Sequence, residues 1–182
     1  SYKFCGHCSR CARGKENICE EYQVLGMEIP GTHTDRAVFP ERMLYRLPAG
    51  VGPEEGTMLM DIFGMAHHAL KRIRIPRDSK IVIFGAGAVG LALGMLLLRI
   101  YKARRLSIVE PSRYRRDLAR KILAVRNIYA MTAPRDSFDL AIEASGDNSA
   151  FNSAFECLQR GGNLLVIGIQ DHKNKIPTVK LV

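Results

Sequence analysis

Apolar runs along the second half of the chain alternate between two lengths. Lys80–Phe84 and Arg105–Val109 are short and rich in β-branched residues, which is typical of buried strands. Residues 91–100 form a longer apolar run that predicts a helix, and residues 115–123 predict another. This alternation predicts a parallel sheet with helices packed against it.

Two more strands and a helix complete the pattern. Phe138–Glu143 and residues 163–167 have the composition of strands. Residues 149–159 between them have helical spacing, and Gly161-Gly162 is expected to end that helix. The whole order predicts an α/β fold, a doubly wound parallel sheet of the Rossmann type, in which ligands bind at the carboxyl ends of the strands.

The composition indicates a substantial hydrophobic core and a positive net charge. The chain has 182 residues, of which 47% are hydrophobic, so it can bury a substantial core. Its 27 Lys and Arg against 18 Asp and Glu leave a net charge of +9, which favours anionic partners such as phosphates. Residues 81–98 reach the length of a membrane span, but glycines interrupt them and we expect no membrane segment. With no signal peptide and Ser1 in first place, we expect a cytoplasmic protein whose amino terminus was cut, processed or omitted.

Four of the five cysteines lie close together, as Cys5, Cys8, Cys11 and Cys19. Cysteines two residues apart are poorly placed to bridge each other, although disulfide pairing remains an alternative. Four thiolates on short loops suit tetrahedral zinc with every position filled, which is a structural site, and an iron–sulfur cluster is the main competitor. His7 is expected to be a bystander in this cluster. Cys157 lies in a helical pattern and is expected to be a small buried hydrophobe.

The turn after the first predicted strand is suited to phosphate binding. Residues 85–90, here named the glycine turn, read Gly-Ala-Gly-Ala-Val-Gly between that strand and its helix. The first glycine permits a tight turn, the second lets the backbone approach a pyrophosphate, and the third lets helix and strand pack closely. The phosphates would lie at the positive end of the helix. The predicted cofactor-binding residues of the turn are Gly85, Gly87, Ala88, Val89 and Gly90.

Glu110 ends the second strand, 20 residues after Gly90. An acid there can accept hydrogen bonds from both hydroxyls of an adenosine ribose and would repel a 2′-phosphate, which favours NAD over NADP. Arg113, Arg115 and Arg116 follow it. They could hold a 2′-phosphate if Glu110 turned away, or they could form a solvated helix face. Arg115 is expected to support the ribose site.

Three residues follow the two later strands. Ser145 and Gly146 come after Phe138–Glu143, and Gly168 comes after residues 163–167. Because the carboxyl ends of parallel strands lie at the same edge of a sheet, we expect these residues to face the dinucleotide.

A four-cysteine lobe followed by a dinucleotide-binding pattern resembles the zinc-containing medium-chain dehydrogenases, the alcohol and polyol dehydrogenase family. The resemblance covers nearly the whole chain. It implies that residues 1–70 are part of a GroES-like, β-rich catalytic domain with a structural zinc lobe. Residues 71–182 would form a Rossmann domain that is incomplete at its carboxyl end. Ile167, with Ser145 and Gly168, would lie near the ribose and nicotinamide. The matching residues are Cys5-Gly6-His7-Cys8, Cys11, Cys19, residues 31–40, Leu47-Pro48 and the glycine turn.

The resemblance also implies a second, catalytic zinc with three protein ligands and an open position for an alcohol or carbonyl oxygen. Asp61 falls at the third ligand position, where family members carry Cys, Glu or Asp. The alternative is that Asp61 caps the following helix or places a charge in its first turn. His68 matches a frequent family histidine and is expected to pack near the cofactor, and His33 is expected to lie in a strand.

The chain departs from the family pattern in several places. The first two catalytic zinc ligands and the proton relay belong upstream of Cys5, and the last strand belongs beyond Gly168, so we expect about half of a dehydrogenase. A third strand at residues 127–131 leaves only residues 132–137 before the next strand, where the family has a crossover helix. A parallel connection without that helix is implausible, and we predict a deletion or unobserved residues near 131–137.

The expected function is a zinc-dependent, NAD-linked oxidoreductase that transfers a hydride between a secondary alcohol, polyol or sugar and the nicotinamide. A zinc-free reductase or a non-catalytic relative of the same superfamily is the alternative. A nucleic-acid-binding zinc module is a remote one, because the basic residues are not confined to one helix and the glycine turn would have no role. The resemblance implies a homo-dimer or homo-tetramer for the full-length protein.

Overall fold

The computed structural model describes residues 2–170 and residue 176. The chain forms two compact units, of which the first ends at Asp61 and the second begins at Ile62. A domain boundary after residue 70 stays a prediction.

The first unit contains short elements. Strand β1 (Tyr2–Lys3) pairs antiparallel with β2 (Gln23–Val24). Helix α1 (Pro53–Met58) is the longest regular element wholly within this unit, and three 3-10 segments span Cys11–Arg13, Glu16–Ile18 and Glu41–Met43. Among the described residues of this unit, the buried apolar side chains are those of Cys11 and Cys19. The cysteine cluster therefore occupies the place of a hydrophobic core.

The strand expected around His33 is not found. His33 lies in a loop, and no described strand of the first unit includes or pairs with residues 31–40. The described strands of this unit are the two short ones named above.

The second unit is built on one five-stranded parallel sheet with the order β5-β4-β3-β6-β7. This confirms the predicted Rossmann-type α/β fold. Its strands are β3 (Lys80–Phe84), β4 (Arg105–Val109), β5 (Asn127–Tyr129), β6 (Phe138–Glu143) and β7 (Leu158–Val166). Its helices are α2 (Gly64–Lys71), α3 (Ala88–Arg99), α4 (Arg113–Leu123) and α5 (Asn148–Glu156).

The central strand β3 is buried on both faces, which explains its continuous apolar sequence. Ile81 and Ile83 belong to a cluster that includes residues of α2, α3 and α4. Val82 and Phe84 point into a second cluster that includes residues of α5. The helices therefore cover both sides of the sheet.

The helix predicted over residues 149–159 ends at Glu156, and the strand predicted over residues 163–167 begins at Leu158. Gly161-Gly162 lies inside β7 rather than at the end of the helix. The backbone oxygen of Cys157 accepts hydrogen bonds from the N–H groups of Ser137 and Phe138, at 2.8 and 3.0 Å, so pairing with β6 starts at once. Gly161 has φ +77° and lies in the irregular part of this pairing, where few other residues fit.

The connection from β5 to β6 contains no helix among its described residues, 130–137. It passes across two intervening strands, and Ala133 packs on the cluster that contains Val82 and Phe84. Three strand spacings amount to about 14 Å, and nine extended residue steps reach about 30 Å, so this short segment can make the return. A parallel connection without a crossover helix is therefore possible here, contrary to our expectation. A deletion near 131–137 stays a prediction.

Residues 81–98 are divided between β3 and α3. Among the described residues, no helix combines the length and apolar character that crossing a membrane requires.

The close packing of the glycine turn gives a test of the fold. A side-chain carbon on Gly90 would collide with the backbone oxygen of Gly85, whereas one on Gly87 would meet no atom within 4 Å. We expect Gly90→Ala to lower the free energy of unfolding by about 3 kcal/mol. Gly87→Ala is the matched control, with an expected loss below about 1 kcal/mol. Urea denaturation of both variants would measure this, and equal losses would contradict the packing shown here.

Candidate functional site

The four clustered cysteines bring their sulfurs together in one small volume. All four Sγ atoms lie within 4.8 Å of one another. Tetrahedral zinc with Zn–S bonds of about 2.3 Å requires sulfurs about 3.8 Å apart. Three of the measured distances are 3.6 Å for Cys5–Cys19, 3.9 Å for Cys5–Cys11 and 3.9 Å for Cys8–Cys19. The donor set thus fits one tetrahedral zinc ion.

The alternatives fit this geometry less well. Every described cysteine is a free thiol, so the cluster contains no disulfide. A four-iron cluster is larger than a single ion and would spread its cysteine ligands farther apart than they lie here. His7, with Cys5 and Glu21, offers another group of three ligand atoms, but both His7 and Glu21 are exposed. Four sulfurs would fill a tetrahedral zinc site, and the bystander role of His7 stays a prediction.

Backbone amides surround the sulfurs. The N–H of Cys8 donates to Cys5 Sγ at 3.3 Å, and the N–H of Glu21 donates to Cys19 Sγ at 3.3 Å. Hydrogen bonds from the backbone of Cys11 and Glu20 lower the pKa of the Cys8 thiol to about 6. Burial raises the pKa of Cys11 to about 12, so a cation is needed to hold that sulfur as a thiolate.

The glycine turn joins the end of β3 to the start of α3. Gly85 has φ +98°, and a side chain there would press on Ser145 at 3.1 Å. Its N–H donates to the backbone oxygen of Val109 at 2.8 Å, which fixes the turn against the end of β4. Gly87 precedes the first turn of α3 and faces open space. A phosphate could therefore approach the backbone at Gly87 and the positive end of the helix.

Glu110 is held firmly beside this turn. Its side chain is 3% exposed. One carboxylate oxygen accepts the N–H of Ala86 at 2.8 Å, and the other accepts the N–H of Ser112 at 2.9 Å. Each oxygen keeps a second lone pair. The acid that was predicted to bind ribose is thus also a structural link between the ends of β3 and β4.

Arg116, rather than Arg115, is anchored at this edge. Its guanidinium donates to the backbone oxygens of Glu110 and Pro111, at 2.9 and 2.6 Å. Arg115 is exposed, and neither its guanidinium nor that of Arg113 has a hydrogen bond or ion pair among the described residues. The role of Arg115 at the ribose stays a prediction, and sequence spacing gave no reason to separate it from its neighbour.

Glu143 is a site residue that sequence reasoning missed. It ends β6, and its side chain is fully buried at 0% exposure. One carboxylate oxygen accepts the N–H and hydroxyl of Ser145, at 2.7 and 2.5 Å, and the N–H of Gly146 at 2.9 Å. The other accepts the side-chain amide of Gln170 at 3.2 Å. The pattern Glu-x-Ser, shared with Glu110-Pro111-Ser112, was an available signal.

The turns after β6 and β7 pack on each other through this carboxylate. A side-chain carbon on Gly168 would collide with Glu143 Oε2 and with the N–H of Gly146. The N–H groups of Ile167 and Gly168 both donate to the backbone oxygen of Glu143, at 2.8 and 3.1 Å. The predicted residues Ser145, Gly146, Ile167 and Gly168 therefore lie together at one edge of the sheet.

Asp61 lies in a five-residue π-helical segment, Leu59–Phe63, and its side chain is exposed. It does not cap α2, whose N-cap is Phe63, and it is not in the first turn of that helix. No other described cysteine, histidine or carboxylate joins it in a group of three ligand atoms. Its role as a catalytic zinc ligand stays a prediction. His68 is exposed on α2.

Zinc loss should follow removal of any cluster sulfur. We expect the wild-type chain to carry one zinc ion and Cys11→Ser to carry almost none, because three sulfurs hold the ion far less tightly. Elemental analysis of purified protein would measure this. Cys157→Ala is the matched control and should keep its zinc, since that buried thiol is separate from the cluster. Equal zinc content in wild type and Cys11→Ser would refute the site.

Replacing Glu143 by Gln should destabilise the second unit. The glutamine amide group would direct N–H groups at the N–H and O–H donors of Ser145 and Gly146, which now have a carboxylate acceptor. We therefore expect a loss of about 2 kcal/mol in the free energy of unfolding. Glu156→Gln is the control, because Glu156 forms an exposed ion pair with Arg135 at 2.8 Å and should cost less than about 1 kcal/mol. Urea denaturation distinguishes the two, and a smaller loss for Glu143→Gln than for the control would contradict the hydrogen bonds described.

Comparison with known proteins agrees with these features. Residues 1–49 match the model of the alcohol dehydrogenase GroES-like domain. An L-threonine 3-dehydrogenase from Shewanella frigidimarina is 29% identical over 98% of this chain and 54% of its own length. Another, from Aeromonas salmonicida, is 30% identical over 91% of the chain and 50% of its own length. The chain thus spans about half the length of these curated relatives.

Solved structures share the fold. A protein called a short chain alcohol dehydrogenase, from Escherichia coli CFT073 in complex with NADH, has a TM-score of 0.89 at 21% identity, over 99% of this chain and 56% of that one. A zinc-binding dehydrogenase from Sinorhizobium meliloti 1021, bound to NADP, has a TM-score of 0.86 at 19% identity over the same shares. These structures show the shared fold. The GroES-like match and the threonine dehydrogenase relatives, with the cysteine cluster and the glycine turn, identify the chain as part of a member of the zinc-containing medium-chain dehydrogenase/reductase family.

Proposed function

We propose that this chain is part of a zinc-dependent oxidoreductase that transfers a hydride between NAD(H) and a secondary alcohol, polyol or sugar. The observation that carries the proposal is the glycine turn, open at Gly87 and fixed on either side by Glu110 and Ser145. Such a turn accepts a pyrophosphate at a helix amino end without any rearrangement of the backbone.

Each residue at this edge has a role in the proposal. Gly87, Ala88 and Val89 receive the pyrophosphate, and Glu110 accepts the hydroxyls of the adenosine ribose. The residues Ser145, Gly146, Ile167 and Gly168 lie along the nicotinamide half. When bound, NAD accepts the hydride and a catalytic zinc polarises the alcohol oxygen. Asp61 is the residue of this chain proposed to bind that zinc, and its exposed carboxylate in a π-helical turn fits such a role.

The hydrogen bonds of Glu110 support NAD over NADP. A 2′-phosphate could be accepted only if the carboxylate turned away towards solvent. Two backbone N–H groups, from Ala86 and Ser112, hold it in place, and turning away would leave both unpaired in a buried position. Arg113 and Arg115 lie downstream, and their guanidinium groups have no partner among the described residues. They could hold a 2′-phosphate instead, and a titration with both cofactors tests this alternative.

The substrate class rests on the relatives. Those with the name L-threonine 3-dehydrogenase act, by that name, at a carbon that carries a secondary alcohol. Others are named L-idonate 5-dehydrogenase and galactitol-1-phosphate dehydrogenase, after polyol and sugar-acid substrates. A secondary alcohol is common to these names. The proposal includes a homo-dimer or homo-tetramer of the full-length protein, which rests on the family resemblance alone. It also includes a cytoplasmic location, because four unbridged metal-binding thiols suit a reducing compartment.

Gly87→Asp gives a clean test of cofactor binding. Aspartate is a favourable residue before a helix and would meet no neighbouring atom, so the fold should be preserved. Its charge would lie where the pyrophosphate binds, and we expect NADH affinity to fall about a hundredfold or more. NADH fluorescence titration of the 182-residue chain measures this.

Asn152→Asp is the control, because it adds the same charge at an exposed position of α5. It should change NADH affinity less than about twofold. An NADPH titration run in parallel should show weaker binding than NADH. Wild-type protein that binds neither cofactor, or Gly87→Asp protein that binds NADH normally, would sink the proposal.

A further inference from the structure

The amino ends of β3, β4 and β5 border an open groove of about 610 Å³. Lys80, Arg105 and Asn127, the first residues of those strands, all line it. In a parallel sheet the amino ends lie at the edge opposite the carboxyl ends. The groove is therefore separate from the glycine turn and from the proposed dinucleotide site.

The charge of the groove is one-sided. No aspartate or glutamate is among its lining residues. Four basic side chains are, and they are Lys80, Arg104, Arg105 and Arg126. The side chains of Lys80, Arg105 and Arg126 have no hydrogen bond or ion pair among the described residues. Arg104 approaches Asp78 at 3.9 Å, but both are largely exposed, at 61% and 77%, and such a pair contributes little. The basic groups therefore remain available to an anion.

The groove exists because the connection from β5 to β6 is short. Pro134 and Ser137 of that connection form part of its wall, and the described residues of the connection, 130–137, contain no helix. Helix α4 ends at the groove with Leu123, and its carboxyl end carries a partial charge of about −0.5. Two carboxylates lie beside the lining: Asp139 accepts the backbone N–H of Lys80 at 2.7 Å, and Asp78 is the partner of Arg104. Four basic groups outweigh these two charges and the helix end together, so the net charge around the groove is positive.

The rest of the lining combines uncharged polar side chains, such as Asn127 and Ser137, with apolar and aromatic ones, such as Leu123, Tyr129 and Phe138. A volume of about 610 Å³ lies within the range of ligand pockets, about 300–1,000 Å³, and is larger than an inorganic phosphate chain needs. Arginine is the residue best suited to bind phosphate oxygens in pairs. We propose that this groove binds an oligophosphate group, at a site independent of the cofactor.

The test is isothermal titration calorimetry of the 182-residue chain with sodium tripolyphosphate at low salt, and separately with ATP. We expect binding that weakens as salt is raised. Arg105→Ala and Arg126→Ala should each weaken it about fivefold or more, and Arg105→Glu should abolish it. Both arginine side chains are exposed and have no partner in the part of the chain that the structure describes, so the variants should fold. The two compounds are compared in Gly87→Asp protein, in which the proposed dinucleotide site is blocked. There, tighter binding of ATP than of tripolyphosphate would identify a nucleotide as the source of the phosphates, and equal binding a free oligophosphate.

Two controls decide whether binding is at the groove. Arg160→Ala removes an exposed arginine outside the lining and should change affinity less than about twofold. Gly87→Asp should leave tripolyphosphate binding intact, whatever it does to NADH. The proposal is overturned if Arg160→Ala weakens binding as much as Arg105→Ala, or if Gly87→Asp abolishes it. It is also overturned if a single-stranded DNA oligonucleotide binds the groove more tightly than either phosphate compound, or if neither compound binds.

Discussion

Burying a carboxylate away from water is costly unless hydrogen-bond donors surround it. The second unit buries two carboxylates in this way, at the carboxyl ends of β4 and β6, the strands on either side of β3. Glu110 and Glu143 are both nearly closed to solvent, and both accept the N–H of the serine two residues later. Each also reaches beyond its own turn, Glu110 to Ala86 and Glu143 to Gln170. Glu110 thereby ties the ends of β3 and β4 together, and Glu143 ties those of β6 and β7. The proposed cofactor site depends on this edge of four strand ends.

Within the glycine turn, the residues that pack tightly are not the residue that is open to a ligand. Gly85 and Gly90 are tightly packed, because Ser145 lies against one and the backbone of Gly85 lies against the other. Gly87 alone among the three faces open space. The neighbouring carboxylates keep the backbone of the turn in place, so binding at Gly87 needs no ordering of a loop and loses little conformational entropy.

Patterns of residues close together in the sequence predicted much of this structure. The strands, the glycine turn and the cysteine cluster could be predicted because each is encoded by adjacent residues. Glu143 was missed because its importance arises from contacts with the turn after β7, which no local pattern contains. The position of Gly161-Gly162 inside β7 has the same cause, since the hydrogen bonds that precede β7 come from Ser137 and Phe138, at the start of β6 and distant in sequence. Arg116 differs from Arg115 only in the direction that the helix gives each side chain.

The two units achieve stability by different means, which follows from where their buried atoms lie. In the second unit, apolar side chains from strands and helices fill both faces of the sheet, so its fold needs no metal. In the described part of the first unit, the buried apolar side chains belong to two of the four clustered cysteines. Metal–sulfur bonds must then replace hydrophobic burial, as in other small zinc lobes. Chelation should accordingly loosen the first unit while the parallel sheet remains folded, because no atom of the sheet takes part in the sulfur cluster.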